Sequence, residues 1–247
     1  MMQATTKAWR RLLLPLAAVT LLPALLVTGT GAEAASVKLN GLVPGSAAEG
    51  IYGATHLAAM PDEAELVYDY HFEGTALEKP FSDDVLLDFH RQTASQAGET
   101  AGFDVELTIF PQTRKQTVGP LTATAYNPIL LVFFQRDVTH MSNGTGGNQH
   151  YFRNVIRHVM QDPEGADIEE ITIELNGQQL AARQISFRPF LADDHRAQLR
   201  GFAEKTYRVI VSDQVPGSVY EVQSETPDEK TGEVLLRETY RFREIRQ

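Results

Sequence analysis

Asn127-Pro128-Ile129-Leu130-Leu131-Val132-Phe133-Phe134-Gln135-Arg136-Asp137 is the stretch whose reading decides the fold. Asn is a good helix cap, and Pro fits the first helical turn because its missing N–H costs nothing there. Six consecutive large apolar residues, Ile129 to Phe134, then lead into the polar Gln135-Arg136-Asp137. A helix apolar on every side must be buried. The same run fits a core strand, since a short apolar stretch has no decisive period. The capping pair and the length up to Met141 favour a helix. Past it, Asn143-Gly144-Thr145-Gly146-Gly147-Asn148 is a glycine-dense turn, and Tyr151, Phe152, Val155, Ile156 and Val159 recur at helical spacing. Asp162-Pro163-Glu164-Gly165 ends that second segment. The reading is a greasy helical hairpin near residues 128–161.

On both sides of this insert the period changes to two, the mark of half-buried strands. Leu66, Tyr68, Tyr70 and Phe72 alternate with Glu65, Asp69, His71 and Glu73; Val85, Leu87 and Phe89 follow, then Phe103, Val105, Leu107 and Ile109. After the insert, Ile171, Ile173 and Leu175 alternate with acids up to Asn176-Gly177, a pair that favours a tight hairpin turn. The returning strand changes phase between Leu180 and Ile185-Phe187, which predicts a bulge. A short helix is expected near Asp193 to Phe202, then a strand through Tyr207, Val209 and Val211. In the last strand Val234, Leu236, Tyr240 and Phe242 oppose Arg237, Thr239, Arg241 and Arg243.

The expected fold class is α+β, mostly β: a curled antiparallel sheet, an open or partial β-barrel, packed around the inserted helical hairpin. So many twisted strands do not stay flat, and the apolar hairpin needs a concavity to sit in. This plan is similar to that of periplasmic lipoprotein carriers of the LolA and LolB type. The likeness is one of fold plan, with no motif shared residue by residue.

The chain's start carries an address. Lys7, Arg10 and Arg11 precede a leucine- and alanine-rich run, and Ala32-Glu33-Ala34 is a small-residue site. That layout predicts a cleaved signal peptide over residues 1–34 and a working chain in the bacterial periplasm. Residues 35–63 read as an extended arm with an edge strand near Ile51 to Ala58, and 64–247 as one β-rich domain. The formal charge is −10; without residues 1–34 it is 19 basic against 31 acidic groups, or −12. A field of that sign argues against nucleic acid. No later stretch approaches the roughly 18 uninterrupted apolar residues of a membrane span. There is no cysteine, which excludes a disulfide framework, thiolate metal sites and a cysteine nucleophile.

Candidate sites are correspondingly few. The aromatic set Tyr68, Tyr70, Phe72, Tyr207, Tyr240 and Phe242, with Phe133 and Phe134 of the insert, would line an apolar ligand pocket, though alternating strand aromatics are more often plain core. Gly146 and Gly147 at a helix start, with Arg153 and Arg157 one turn apart, would suit an anion. Asp137, His140 and His150 have the donor types for a metal but not the tight spacing of a metal-binding helix. Asp193-Asp194-His195-Arg196 reads as an acidic helix start, and Glu65, Asp69, Glu73, Asp104 and Glu106 as acids on wet strand faces. No nucleophile motif is present and no cofactor is expected. The leading expectation is a soluble, non-catalytic cell-envelope protein that binds an apolar or lipid-like ligand, or a partner protein, on the concave face. A periplasmic hydrolase using carboxylates or a metal, and a purely structural envelope protein, are the alternatives.

Overall fold

The period-two segments pleat into strands, and the run from Asn127 coils into a helix, in a computed structural model that describes residues 41–93, 102–123, 125–199 and 201–247. The leader of residues 1–34 and the start of the arm lie outside the described residues. The elements follow in the order α1 (Ala47–Tyr52), β1 (Glu63–Glu73), β2 (Phe81–Arg91), β3 (Phe103–Ile109), β4 (Gln116–Ala123), α2 (Ile129–Thr145), α3 (Gln149–Gln161), β5 (Ala166–Leu175), β6 (Gln178–Phe187), β7 (Thr206–Val211), β8 (Val219–Pro227) and β9 (Val234–Arg246). All strands join one antiparallel sheet in the order β4-β3-β2-β1-β9-β8-β7-β6-β5. The sheet is curled and unclosed, as the sequence predicts, with β4 and β5 as its two edges. The last strand pairs with the first, at Tyr70↔Tyr240, which joins the halves on either side of the hairpin.

The pleat sends alternate side chains to opposite faces. Leu66, Tyr68, Tyr70 and Phe72 lie buried on the inner face with Val85, Leu87, Phe89, Val105 and Leu107 from the strands beside them. Tyr240, Phe242, Val222, Tyr207, Val209, Ile185 and Phe187 continue that face towards β6. The outer face carries ion pairs instead: Arg243 with Asp69 and Asp84, Arg237 with Glu73 and Glu225, and Arg208 and Arg241 on the two oxygens of Glu221.

The hairpin forms over 129–145 and 149–161, and its connection is a helix stop of the left-handed kind: Gly146 has φ +75° and donates its N–H to Ser142 O. The Asn176-Gly177 turn also forms, with φ of +52° and +77° between paired Leu175 and Gln178.

Five local expectations fail. Residues 41–63 are not an extended arm: Ser46 caps the short helix α1, and Ala47, Ala48, Ile51, Leu57 and Met60 are buried. The edge strand expected near Ile51 to Ala58 is absent, because those apolar residues dock on the sheet rather than pair along it. The insert is not buried all round, since Leu131 is 54% exposed. No bulge interrupts β6, whose register against β5 runs unbroken from Ala166↔Phe187 to Leu175↔Gln178. The phase change arises because the hairpin tip buries its other face, at Ile173 and Ala182. That tip is held by Tyr220 Oη donating to Glu174 O and Ser212 Oγ donating to Ala181 O. The helix expected over 193–202 is two single 3-10 turns, Arg196–Gln198 and Phe202–Glu204. Among the described residues no helix is long and apolar enough to cross a membrane.

Candidate functional site

Asn127 sets where the hairpin leaves the sheet. Its Oδ1 accepts from Ile129 N–H (3.1 Å), which supplies the helix cap, while Nδ2 donates to Gly217 O (3.0 Å) and Tyr68 Oη (2.8 Å). Tyr68 passes its own proton to Val219 O (3.0 Å), so cap, sheet and the β7–β8 turn share one buried network. His56 closes it from below: Nε2 bonds Ile51 O (2.7 Å), and Nδ1 accepts from Asn127 N–H. Burial lowers the His56 pKa below 6.5, which suits that neutral tautomer.

From this base α2 runs over the inner face. Phe133 meets Tyr207 and Tyr240 edge-on at 6.0 and 5.7 Å, with Phe134 beside it at 5.1 Å. Tyr70 lies 5.0 Å from Tyr240, Tyr68 5.8 Å from Phe242, and Phe72 6.0 Å from His140. The eight aromatic residues singled out in the sequence therefore share one side of the sheet, gathered about α2, and the helix occupies the space between them. Two clefts open away from these rings. A cleft of about 680 Å³ runs between α1 and the β5–β7 end, lined by Ile51, Ile168, Val211, Arg183 and Asp213 among others. A second, of about 610 Å³, shares His56, Asp213 and Ser218 with it. None of the eight aromatics lines either cleft.

Charged and hydroxyl groups interrupt the apolar contact between α2 and the sheet at two points. Asp137, fully buried, takes Lys205 Nζ (2.6 Å) and Ser224 Oγ (3.5 Å) on Oδ1 and Tyr207 Oη on Oδ2. Beside it Glu238 Oε1 accepts from Tyr70 Oη (2.9 Å) and Tyr240 Oη (3.1 Å), with Arg136 Nε 3.9 Å away. Arg136 Nε donates to Tyr240 Oη (3.0 Å), and its guanidinium covers the Phe110 ring at 4.9 Å. Burial pushes the Glu238 carboxyl above its usual range, against the pull of Arg136. Burial, aided by the facing carboxylates, holds the Tyr70, Tyr207 and Tyr240 phenols well above 10. His140, between the Phe72 and Phe202 rings, is pushed down to about 4 by burial and then by Lys205.

Lys205, Ser224 and Glu238 escaped the sequence reading. One signal was present: Glu238 and Ser224 hold inner-face positions in β9 and β8, between Leu236 and Tyr240 and two residues past Val222. A polar residue at a core position in a strand is a reason to look for its partner.

The other candidates do not assemble. Gly146 N–H goes to Ser142 O, Gly147 N–H to Thr145 Oγ1, and His150 N–H to the cap Asn148 Oδ1, so these amides are occupied within the turn. Arg153 bonds Gln135 and Gln149, and Arg157 is exposed. Asp137 is held by Lys205 and Tyr207, and among the described residues no group of three or more His, Asp or Glu is placed to hold a metal. Asp193 accepts from His195 N–H within its own turn and from Tyr151 Oη of α3, a structural tie between the helix and this turn. Glu65, Asp69 and Glu73 pair with Arg246, Arg243 and Arg237. Asp104 accepts from Gln92, and Glu106 is exposed.

No protein-family model matches the chain, and no curated protein matches it. Among solved structures it is similar to the Mycobacterium tuberculosis lipoprotein LppX, at 8% identity over 72% of this chain and 84% of that one, with a TM-score of 0.27. It is also similar to a LolA superfamily protein from Nitrosomonas europaea, at 7% identity over 81% of this chain and 93% of that one, with a TM-score of 0.21.

Proposed function

We propose that this protein works in the bacterial periplasm after export, as a non-catalytic binder of an apolar or lipid-like ligand on the inner face of its sheet, beneath the helical hairpin. The observation that carries the reading is the kind of contact the hairpin makes. Its aromatic seat is interrupted by the buried pair Asp137–Lys205 and by buried Glu238, which faces the half-buried Arg136. Buried ion pairs contribute little net stability compared with apolar packing, but they define one position well. A hairpin fastened in this way is a cover with a specified seat. Because the sheet is unclosed, shifting the cover breaks no strand pairing, and it uncovers Tyr68, Tyr70, Phe72, Tyr207, Tyr240 and Phe242 as an aromatic floor in which Lys205 and Glu238 are the charged groups. Export rests on the basic, apolar and small-residue order of residues 1–34.

The test uses the chain from residue 35, which has no tryptophan because Trp9 lies in the leader. Titration with a dansylated fatty acid should give saturable fluorescence enhancement, and native mass spectrometry of protein purified from cells should show a retained lipid. A chain that binds neither single-chain nor diacyl lipid under any of these conditions removes the proposal.

One observation favours a second reading, in which the chain acts through protein contacts. Edge strand β4 contains Pro120, which has no N–H to offer, whereas the opposite edge β5 is ten residues long with no proline. An added strand from a partner would dock there, and Thr172→Pro should abolish its capture.

A further inference from the structure

We infer that Lys205, Tyr207, Ser224 and Thr226 form a cradle for the oxyanion head, carboxylate or phosphate, of an acidic single-chain amphiphile, and that Asp137 of the hairpin fills this cradle when no such ligand is bound. The inference rests on the ligand-binding reading above and names the ligand class.

The donors and the acceptor come from different bodies. Lys205, Tyr207 and Ser224 belong to the start of β7 and to β8, whereas the carboxylate they converge on belongs to α2 alone. Lys205 is 3% exposed and Ser224 likewise buried, so this is a preformed polar pocket in the sheet's inner face rather than a surface pair. The contacts around Tyr207 are apolar: Phe187 stacks on it at 5.2 Å, Phe133 meets it edge-on, and Met141 Sδ lies 4.0 Å from its hydroxyl; Glu238, opposite Ser224, is the charged neighbour on the sheet side.

A second observation is independent of Asp137. Thr226 is fully buried on the face of β8 that carries Ser224, and its Oγ1 has no hydrogen-bond partner. The β7–β8 register pairs Thr206 with Glu225, so continuing it by one residue sets Thr226 opposite Lys205. An unmade hydrogen bond in a dry interior is costly. The two oxygens of Asp137 leave this hydroxyl unused; a phosphate has the further oxygen to engage it.

Selectivity follows from what the cover leaves behind. When α2 shifts, Asp137 departs and Lys205 loses its contact ion pair, while Glu238, which loses Arg136, remains on the floor at longer range; a buried ammonium without a contact partner is strongly disfavoured. An acidic head restores the pair; an ester or alcohol of the same chain does not. Sites built around a charged hydrogen-bonding group reject ligands that leave it unpaired.

The experiment measures binding of palmitic acid, methyl palmitate and a lysophosphatidic acid to the chain from residue 35, by native mass spectrometry and by displacement of a dansylated fatty acid. Wild type should prefer both acids over the ester by about tenfold or more, equivalent to about 1.4 kcal/mol. Asp137→Asn, which removes the competing charge, should tighten both acids roughly tenfold and leave the ester unchanged. The double variant Asp137→Leu with Lys205→Met leaves no lone charge, so it keeps the fold even where a single variant does not, and it should bind acid and ester alike. Thr226→Val should weaken lysophosphatidic acid and leave palmitic acid unchanged, because only the phosphate has an oxygen to spare for this hydroxyl; an unchanged phosphate affinity removes Thr226 from the cradle. Equal affinity for acid and ester in wild type and in Asp137→Asn overturns the cradle while leaving apolar ligand binding intact. No binding of any of the three compounds to any variant overturns both.

Discussion

Replacing Asn127 by alanine should destabilise the protein by about 2 kcal/mol, because one side chain serves three elements at once. The residue is 1% exposed, so water cannot substitute for the lost bonds. Removing Oδ1 uncaps α2 at Ile129 N–H, a loss of about 1 kcal/mol for a typical cap. Removing Nδ2 takes one of two donors from the buried Gly217 carbonyl, which keeps Val219 N–H (2.8 Å), a further loss of about 1 kcal/mol. Tyr68 suffers least, since its hydroxyl still donates to Val219 O. For a chain of this size the sum corresponds to a Tm lower by about 4–8 °C. Urea unfolding followed by far-UV circular dichroism measures it as a shift of midpoint at constant slope. Two companion variants sharpen the result. Asn127→Asp keeps the cap acceptor but removes both donors and sets a charge against a carbonyl, so it should be no better than alanine. Tyr68→Phe should be non-additive with Asn127→Ala, as expected for groups in one hydrogen-bonded network. An Asn127→Ala protein within about 0.5 kcal/mol of wild type, the range of an ordinary surface change, would falsify the idea that this residue anchors the hairpin.

Two more outcomes follow from the same packing. Phe133→Ala should cost about 3–5 kcal/mol, since it empties the contact with Tyr207 and Tyr240, whereas Leu131→Ala, two positions earlier and half exposed, should cost under about 1 kcal/mol; similar values for both would mean that α2 does not hold the orientation described. His140 faces Asp137, Lys205 and Arg136 between two phenylalanine rings, and its folded pKa of about 4 lies below the ordinary 6.5. The unfolded chain therefore takes up a proton as pH falls through 6.5 while the folded chain does not until about 4. Its contribution to stability is complete above 6.5, is lost between 6.5 and 4, and is flat below. His140→Phe should unfold with a shallower dependence of midpoint on pH across that window, and an unchanged slope rejects the assignment.

The strands on both sides of the insert were legible because the pleat alternates whatever the partner. Leu66, Tyr68, Tyr70 and Phe72 point to one face by covalent geometry alone. The hairpin was legible for an equally local reason: Asn127-Pro128 starts a helix and Gly146 stops one through their own backbone chemistry. The candidate aromatics proved to be neighbours for the same reason, since inner-face residues of one curled sheet have nowhere else to go. The β6 phase change was read correctly as an anomaly and wrongly as a bulge. A two-residue period reports which face is apolar, but not that a twisted tip buries its other face under Tyr220 and Ser212.

Local sequence, then, determined by itself the strand segments, the two-helix insert, the tight turn at Asn176-Gly177 and the expectation of a curled sheet. These depend on interactions between residues a few positions apart. Tertiary structure alone decided that β9 lies between β1 and β8, that Leu131 faces solvent, and that the arm before β1 folds back onto the sheet. It alone brought Asp137 to Lys205 across 68 positions of chain. A buried charge has no local period to announce its partner; the partner is whichever group the closing of the whole sheet carries within reach.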